Sequence, residues 1–71
     1  MRIINQLGAD FPYEEILVSP EDEWIHARSI SDSSAMYFIA RYSSEEKAKK
    51  AMNKLHSCYQ NGLKNAIFRF P

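Results

Sequence analysis

Few residues in this chain combine a reactive type with a useful spacing. The side chains of catalytic or metal-ligating kind are His26, His56 and Cys58, apart from the carboxylates. His56 and Cys58 are two apart in a stretch of helical period, so their side chains diverge and form no Cys–His pair. His26 has no acid or nucleophile at a spacing that would make it a general base. A single cysteine gives no disulfide, and the two histidines with it make no ligand cluster. The sequence therefore predicts no catalytic residue, no metal and no cofactor. It is read as a protein that binds rather than converts. The residues suited to binding are Arg28, Arg41 and Arg69, with Trp24, Tyr37 and His26. A guanidinium offers a planar fork of donors to a phosphate or carboxylate. An aromatic ring offers a face to a base or to a partner side chain.

Whether those six residues meet depends on the elements that carry them. Met1 to Leu7 reads as a short strand. Gly8-Ala9-Asp10 is a turn signal, and Pro12 excludes a central strand position there. Glu15 to Ser19 is an apolar, β-branched run, and Pro20-Glu21-Asp22-Glu23 is a turn. Trp24 to Ile30 closes a hairpin with that run. Ser31-Asp32-Ser33-Ser34 is a second polar turn, and Ala35 to Tyr42 is a strand rich in aromatic and β-branched residues.

The period then changes from two to 3.6. Ser43-x-x-Glu46 reads as a capping box, with Glu45 and Glu46 where a helix dipole favours acids. Ala48, Ala51, Met52, Leu55 and Tyr59 form one apolar stripe, flanked by Cys58, of a helix running to about Gln60. Asn61-Gly62 supplies its stop. Ala66 to Phe70 is the last strand. The expected fold is a small two-layer α+β domain spanning residues 1–71, in the order β-β-β-β-α-β. An antiparallel sheet of about four or five strands packs on one helix.

Alternation sorts the strand residues by face. One face collects Ile16, Val18, Ile25, Ala27, Met36, Phe38, Ala40, Tyr42, Ala66, Phe68 and Phe70, which match the helix stripe and form the expected core. The other collects Leu17, Trp24, His26, Arg28, Ile30, Tyr37, Ile39, Arg41, Ile67 and Arg69. One helix covers one side of a sheet, so the second face is expected to be open. An open face of this composition marks an interaction site.

The chain has 71 residues, 45% of them hydrophobic, and a net charge of zero. A domain this short buries about 60% of its unfolded surface and leaves a margin of about 3–5 kcal/mol. Self-association into a homo-oligomer is the remaining means of reinforcing it. The charge is segregated. Residues 1–40 carry two cations against seven acids and residues 41–71 carry seven against two, which is −5 and +5. Lys47, Lys49, Lys50 and Lys54 read as the wet face of the helix, with an anion site in the second half as the functional alternative. Non-specific nucleic-acid binding is disfavoured, since it normally shows as net basic charge. No apolar run approaches 18 residues and Met1 to Leu7 has no long apolar segment. No membrane partner and a reducing cytoplasm are the expectation.

The termini add a resemblance. Met1-Arg2-Ile3-Ile4-Asn5-Gln6, then Pro12-Tyr13-Glu14, then Arg41-Tyr42-Ser43-Ser44-Glu45-Glu46-Lys47-Ala48 with Ala51-Met52, and the closing Phe68-Arg69-Phe70-Pro71 form a set. The set resembles a family of very small proteins encoded by phages and prophages of Gram-positive bacteria, and covers about half the chain. That resemblance implies an accessory protein acting in the host cytoplasm, of a kind that includes inhibitors of host defence. One expectation is a sponge, which sequesters a nucleotide immune signal in a pocket between subunits. Arg28, Arg41 and Arg69 would hold phosphates there, with Tyr37 or Trp24 stacked on the base and His26 beside them. Sequestration at about 1 μM requires roughly −8 kcal/mol. Charged hydrogen bonds of roughly 1.5–3 and stacks of roughly 1–3 kcal/mol reach that together. The other expectation is an inhibitor or regulator that binds a host defence protein through the open face.

Overall fold

The computed structural model describes residues 1–32, 34–61 and 66–71. Ser33 of the second polar turn and Gly62 of the helix stop lie outside them. The fold is α+β, with one helix packed against two three-stranded sheets. The first sheet holds β1 (Arg2–Ile4), β2 (Asp10–Pro12) and β6 (Ile67–Arg69), in the order β2-β1-β6. The second holds β3 (Ile16–Glu21), β4 (Trp24–Ser29) and β5 (Met36–Arg41) as an antiparallel meander. Helix α1 runs Glu45–Gln60 and packs against β3 and β4.

The structure departs from the sequence reading at several points. Asp10–Pro12 is a short strand, not only a turn, and its proline sits on an edge where a missing N–H is tolerated. β1 pairs with β6 in parallel, which the long passage between them through the second sheet and α1 permits. The six strands form two sheets where one was expected. The helix begins one residue later than the expected box. Ser44, not Ser43, is the N-cap, and its hydroxyl accepts from the Lys47 N–H at 3.2 Å. Asn61 stands at the C-cap, as expected. The β3–β4 turn is tighter than expected: Pro20 and Glu21 belong to β3, and Asp22 takes φ 54°.

The core joins both sheets. Ile3, Ile25, Ile39 and Leu55 are its largest fully buried side chains, with Ala27, Ala40, Ala48, Ala51, Met52 and Phe70 around them. The helix stripe is buried as expected at Ala48, Ala51, Met52 and Leu55. Tyr59 is half exposed and packs its ring against Tyr13 at 5.0 Å.

One irregularity reorganises β5. Ile25 opposes Ala40, but His26 opposes Phe38, so Ile39 is an extra residue in a β-bulge. The bulge lets neighbours Ile39 and Ala40 both enter the core, where strict alternation admits one. Residues before it exchange faces. Met36 and Phe38, expected inside, turn to the outer face, and Met36 is 50% exposed. Tyr37 and Ile39, expected outside, leave that face.

Asn5 and Gln6 secure this strand. Asn5 is buried, donates Nδ2 to the Phe38 carbonyl at 2.8 Å, and accepts the Leu7 and Ala9 N–H groups on Oδ1. Gln6 donates its N–H to the Ile39 carbonyl at 3.0 Å and accepts the Arg41 N–H at 2.8 Å on Oε1. Its Nε2 donates to Pro71 at 2.7 Å. Asn5→Ala strands up to three backbone groups, at about 1–3 kcal/mol for each that stays dry. A loss of about 2–4 kcal/mol is expected in urea unfolding, most of the margin of so small a domain.

Two carboxyls lie below their ordinary range. Glu14 is lowered by the hydrogen bond from the Met1 amino group at 2.6 Å, and Asp32 by those from the Ser34 hydroxyl and N–H. Both favour the folded chain above their ordinary values of 4.5 and 3.8, and that contribution fades as pH falls through their folded values. Thermal unfolding between about pH 5 and pH 2 should therefore fall less steeply in Glu14→Gln and Asp32→Asn than in the parent chain.

Candidate functional site

Residues opposed across an antiparallel pair share a face. The pairings therefore define the outer face of the second sheet as three rows across β3, β4 and β5: Leu17, Arg28, Met36; Ser19, His26, Phe38; and Glu21, Trp24, Arg41. Leu17, Arg28, Met36 and Arg41 are exposed, while α1 occupies the inner side with Ile16, Ile25 and Ala27. The face is uncovered.

Trp24, at the hairpin end of the central strand, gathers the other rings of the face. The Arg41 guanidinium carbon lies 4.7 Å from the indole centroid, a cation–π contact. The His26 ring is nearly parallel to the indole, at 7° and 6.0 Å. Phe38 meets it edge-on at 81° and 6.0 Å. Arg41 also approaches Glu23 in the hairpin turn at 3.6 Å, and the Glu23 carbonyl accepts the Tyr42 N–H at 2.9 Å. The turn and the end of β5 thus hold one another. The His26 Nδ1 is 3.8 Å from Glu21 Oε2, beyond hydrogen-bond range, and is closed to solvent without a partner. Arg28 has no carboxylate within 4.0 Å among the described residues.

Of the six residues singled out in the sequence, four come together: Trp24, His26, Arg28 and Arg41. Tyr37 opposes the buried Ala27 on the inner side and packs at the rim against Phe11, at 5.6 Å. Arg69 is on β6 in the other sheet, opposite Ile4. Ile67 shares that strand and is 64% exposed away from Trp24. The expected alignment of three arginines with Tyr37 on one face is therefore corrected. The bulge removes Tyr37, and the division into two sheets removes Arg69. The face gains Phe38 and Met36 instead. Their one trace in the sequence is the unbroken apolar run Phe38-Ile39-Ala40, which two-residue alternation does not accommodate.

A second feature lies just past the C-terminal end of β5, the end that pairs with Trp24. A groove of about 220 Å³ runs between Tyr42, Pro71 and the side of α1 bearing Lys47, Lys50, Ala51 and Lys54. The Tyr42 hydroxyl oxygen is closed to solvent and has no hydrogen-bond partner among the described residues. An unmet donor of that kind costs about 1–3 kcal/mol. Burial pushes the Tyr42 phenol upward, so it is a hydroxyl at neutral pH.

The outer face can stack, pair charges and bury apolar surface. Among the described residues no group of three or more His, Cys, Asp or Glu is placed to hold a metal, and no helix is long and apolar enough to cross a membrane. Comparison with protein-family models, with curated proteins and with solved structures finds no match to this chain.

Arg41 screens one side of the chain's sole tryptophan. Arg41→Ala should therefore raise acrylamide quenching of Trp24 fluorescence. It should change unfolding free energy by only about 1 kcal/mol, since the Glu23 pair is exposed and the cation–π contact is modest.

Proposed function

We propose that this chain is a non-catalytic binding protein that captures a protein partner on the outer face of β3, β4 and β5. The observation that carries the reading is Trp24, braced by Arg41, His26 and Phe38 at the hairpin end of the central strand of an uncovered sheet face. Aromatic residues, Met and Arg are enriched at the centres of interfaces, and Leu17 and Met36 extend the apolar surface to one end. Side chains already packed against one another lose little freedom on docking.

Size refines the expectation. Three strands of six residues cover roughly 14 by 17 Å. A standard interface takes about 800 Å² from each partner. That is about a sixth of the 4760 Å² this chain exposes. The partner must reach past the strands to the Glu21–Trp24 turn, or the complex belongs to the small, transient class. The phage resemblance supports the setting: an accessory protein in a bacterial cytoplasm that inhibits or regulates a host defence protein.

The nucleotide sponge is the second reading. Arg28 favours it, as a cation without a carboxylate beside a row of rings. Two arginines on a flat sheet supply fewer charged contacts than the three expected, and Arg41 already faces Glu23. A sponge then depends on a second copy to close the site and make a homo-oligomer.

The test pairs native mass spectrometry, alone and with a panel of cyclic and ADP-ribose-type nucleotides, with capture from a Gram-positive lysate. Wild-type and Lys49→Ala baits should enrich one common protein that Trp24→Ala and Phe38→Ala baits do not. The purified complex should weaken about thirtyfold in Trp24→Ala, as for an interface centre worth about 2 kcal/mol. A nucleotide held at fixed stoichiometry, and lost in Arg28→Ala, would move the assignment to the sponge. Capture indifferent to Trp24 would remove this face from the function.

A further inference from the structure

The geometry points to a second binding site, the groove between Tyr42, Pro71 and the lysine side of α1, shaped for a small organic phosphate whose body is about one ring in size. Lys47, Lys50 and Lys54 stand at i, i+3 and i+7, which places their ammonium groups along one side of the helix. None of the three has a carboxylate within 4.0 Å among the described residues. The contrast on the same helix is Lys49, which pairs with Glu45 at 3.2 Å. Glu46 is four residues before Lys50 and makes no such pair.

The lining sets the ligand class. Ala51, the Tyr42 ring and the Pro71 ring give the groove an apolar floor, which suits a carbon body. The lysines are point charges around it, the arrangement by which lysine holds phosphate. Gln6 Nε2 donates to the Pro71 main-chain oxygen, and the lining holds three lysines and no Asp or Glu. A dianion fits that balance better than a monoanionic carboxylate. The site lies apart from Trp24, so it stands whether or not the outer face binds a protein.

The test is an amide chemical-shift titration of the full chain with phenyl phosphate, phenol and inorganic phosphate. Phenyl phosphate should shift the amides of Tyr42 and of residues 47–54 saturably, with sub-millimolar to millimolar affinity. Phenol and inorganic phosphate should each bind at least tenfold more weakly. Lys50→Gln with Lys54→Gln should weaken phenyl phosphate at least tenfold while leaving the rest of the spectrum in place. Shifts that do not saturate, or that persist unchanged in the lysine variant, would overturn the site. Inorganic phosphate binding as tightly as phenyl phosphate would overturn the ligand class.

Discussion

Asn5 and Gln6 occupy the joint between the two sheets, and the arrangement of the molecule follows from what they bond. A strand with one residue too many presents carbonyls and amides that its neighbour cannot all meet. In β5 those at Phe38, Ile39 and Arg41 are met by consecutive residues just past the end of β1. Asn5 is the one buried polar residue among those described, and both ends of its amide are used. The same pair reaches the end of the chain through Gln6 and Pro71. A short first sheet, which has only three residues in each strand, is thereby tied to a longer one. Three-residue strands contribute little by themselves, so the tie and the shared core hold them.

The bulge that this joint secures decides which residues stand on the outer face. With regular alternation, Tyr37 and Ile39 would stand beside Trp24, and Phe38 would be core. With Ile39 inserted, Phe38 turns to Trp24 and the Ile39 side chain fills the interior. The indole then has neighbours on several sides: a guanidinium, an imidazole and a phenyl ring. Arg41 is balanced between that ring and the Glu23 carboxylate. Its charge is spent partly within the face, and this weighs toward an interface centre over a phosphate clamp.

Much of the fold was legible from periodicity. The helix, its apolar stripe, the hairpin and the three longer strands follow from alternation, capping and turn residues. The bulge was not legible, because two-residue alternation is the same rule that a bulge breaks, and Phe38-Ile39-Ala40 is apolar at every position. Parallel pairing of β1 with β6 was not legible either, since it joins segments more than sixty residues apart and three-residue strands leave little pattern. For the site, Trp24, His26 and Arg28 were placed together because they alternate within one strand, a local property. Arg69 and Tyr37 were misplaced because their faces depended on the sheet division and on the bulge. Asn5, Gln6, Phe70 and Pro71, near the two ends of the sequence, take part in the joint and the packing around it, and Ser44 caps the helix.

Arg41 and Tyr42 are consecutive, so they lead to different surfaces, one to the indole and one to the lysine groove. Their backbones are held at both sides: Arg41 N–H by Gln6, and Tyr42 N–H by the Glu23 carbonyl. Adjacency of this kind does not by itself make two sites cooperate. Coupling requires a shared element with two arrangements that the ligands favour unequally. The end of β5 is fixed by hydrogen bonds of 2.8 and 2.9 Å to separate segments, and shifting it would also open the bulge that Asn5 closes. An occupant of the groove and a partner on the sheet should thus bind independently, with the strand between them serving as a rigid wall common to both.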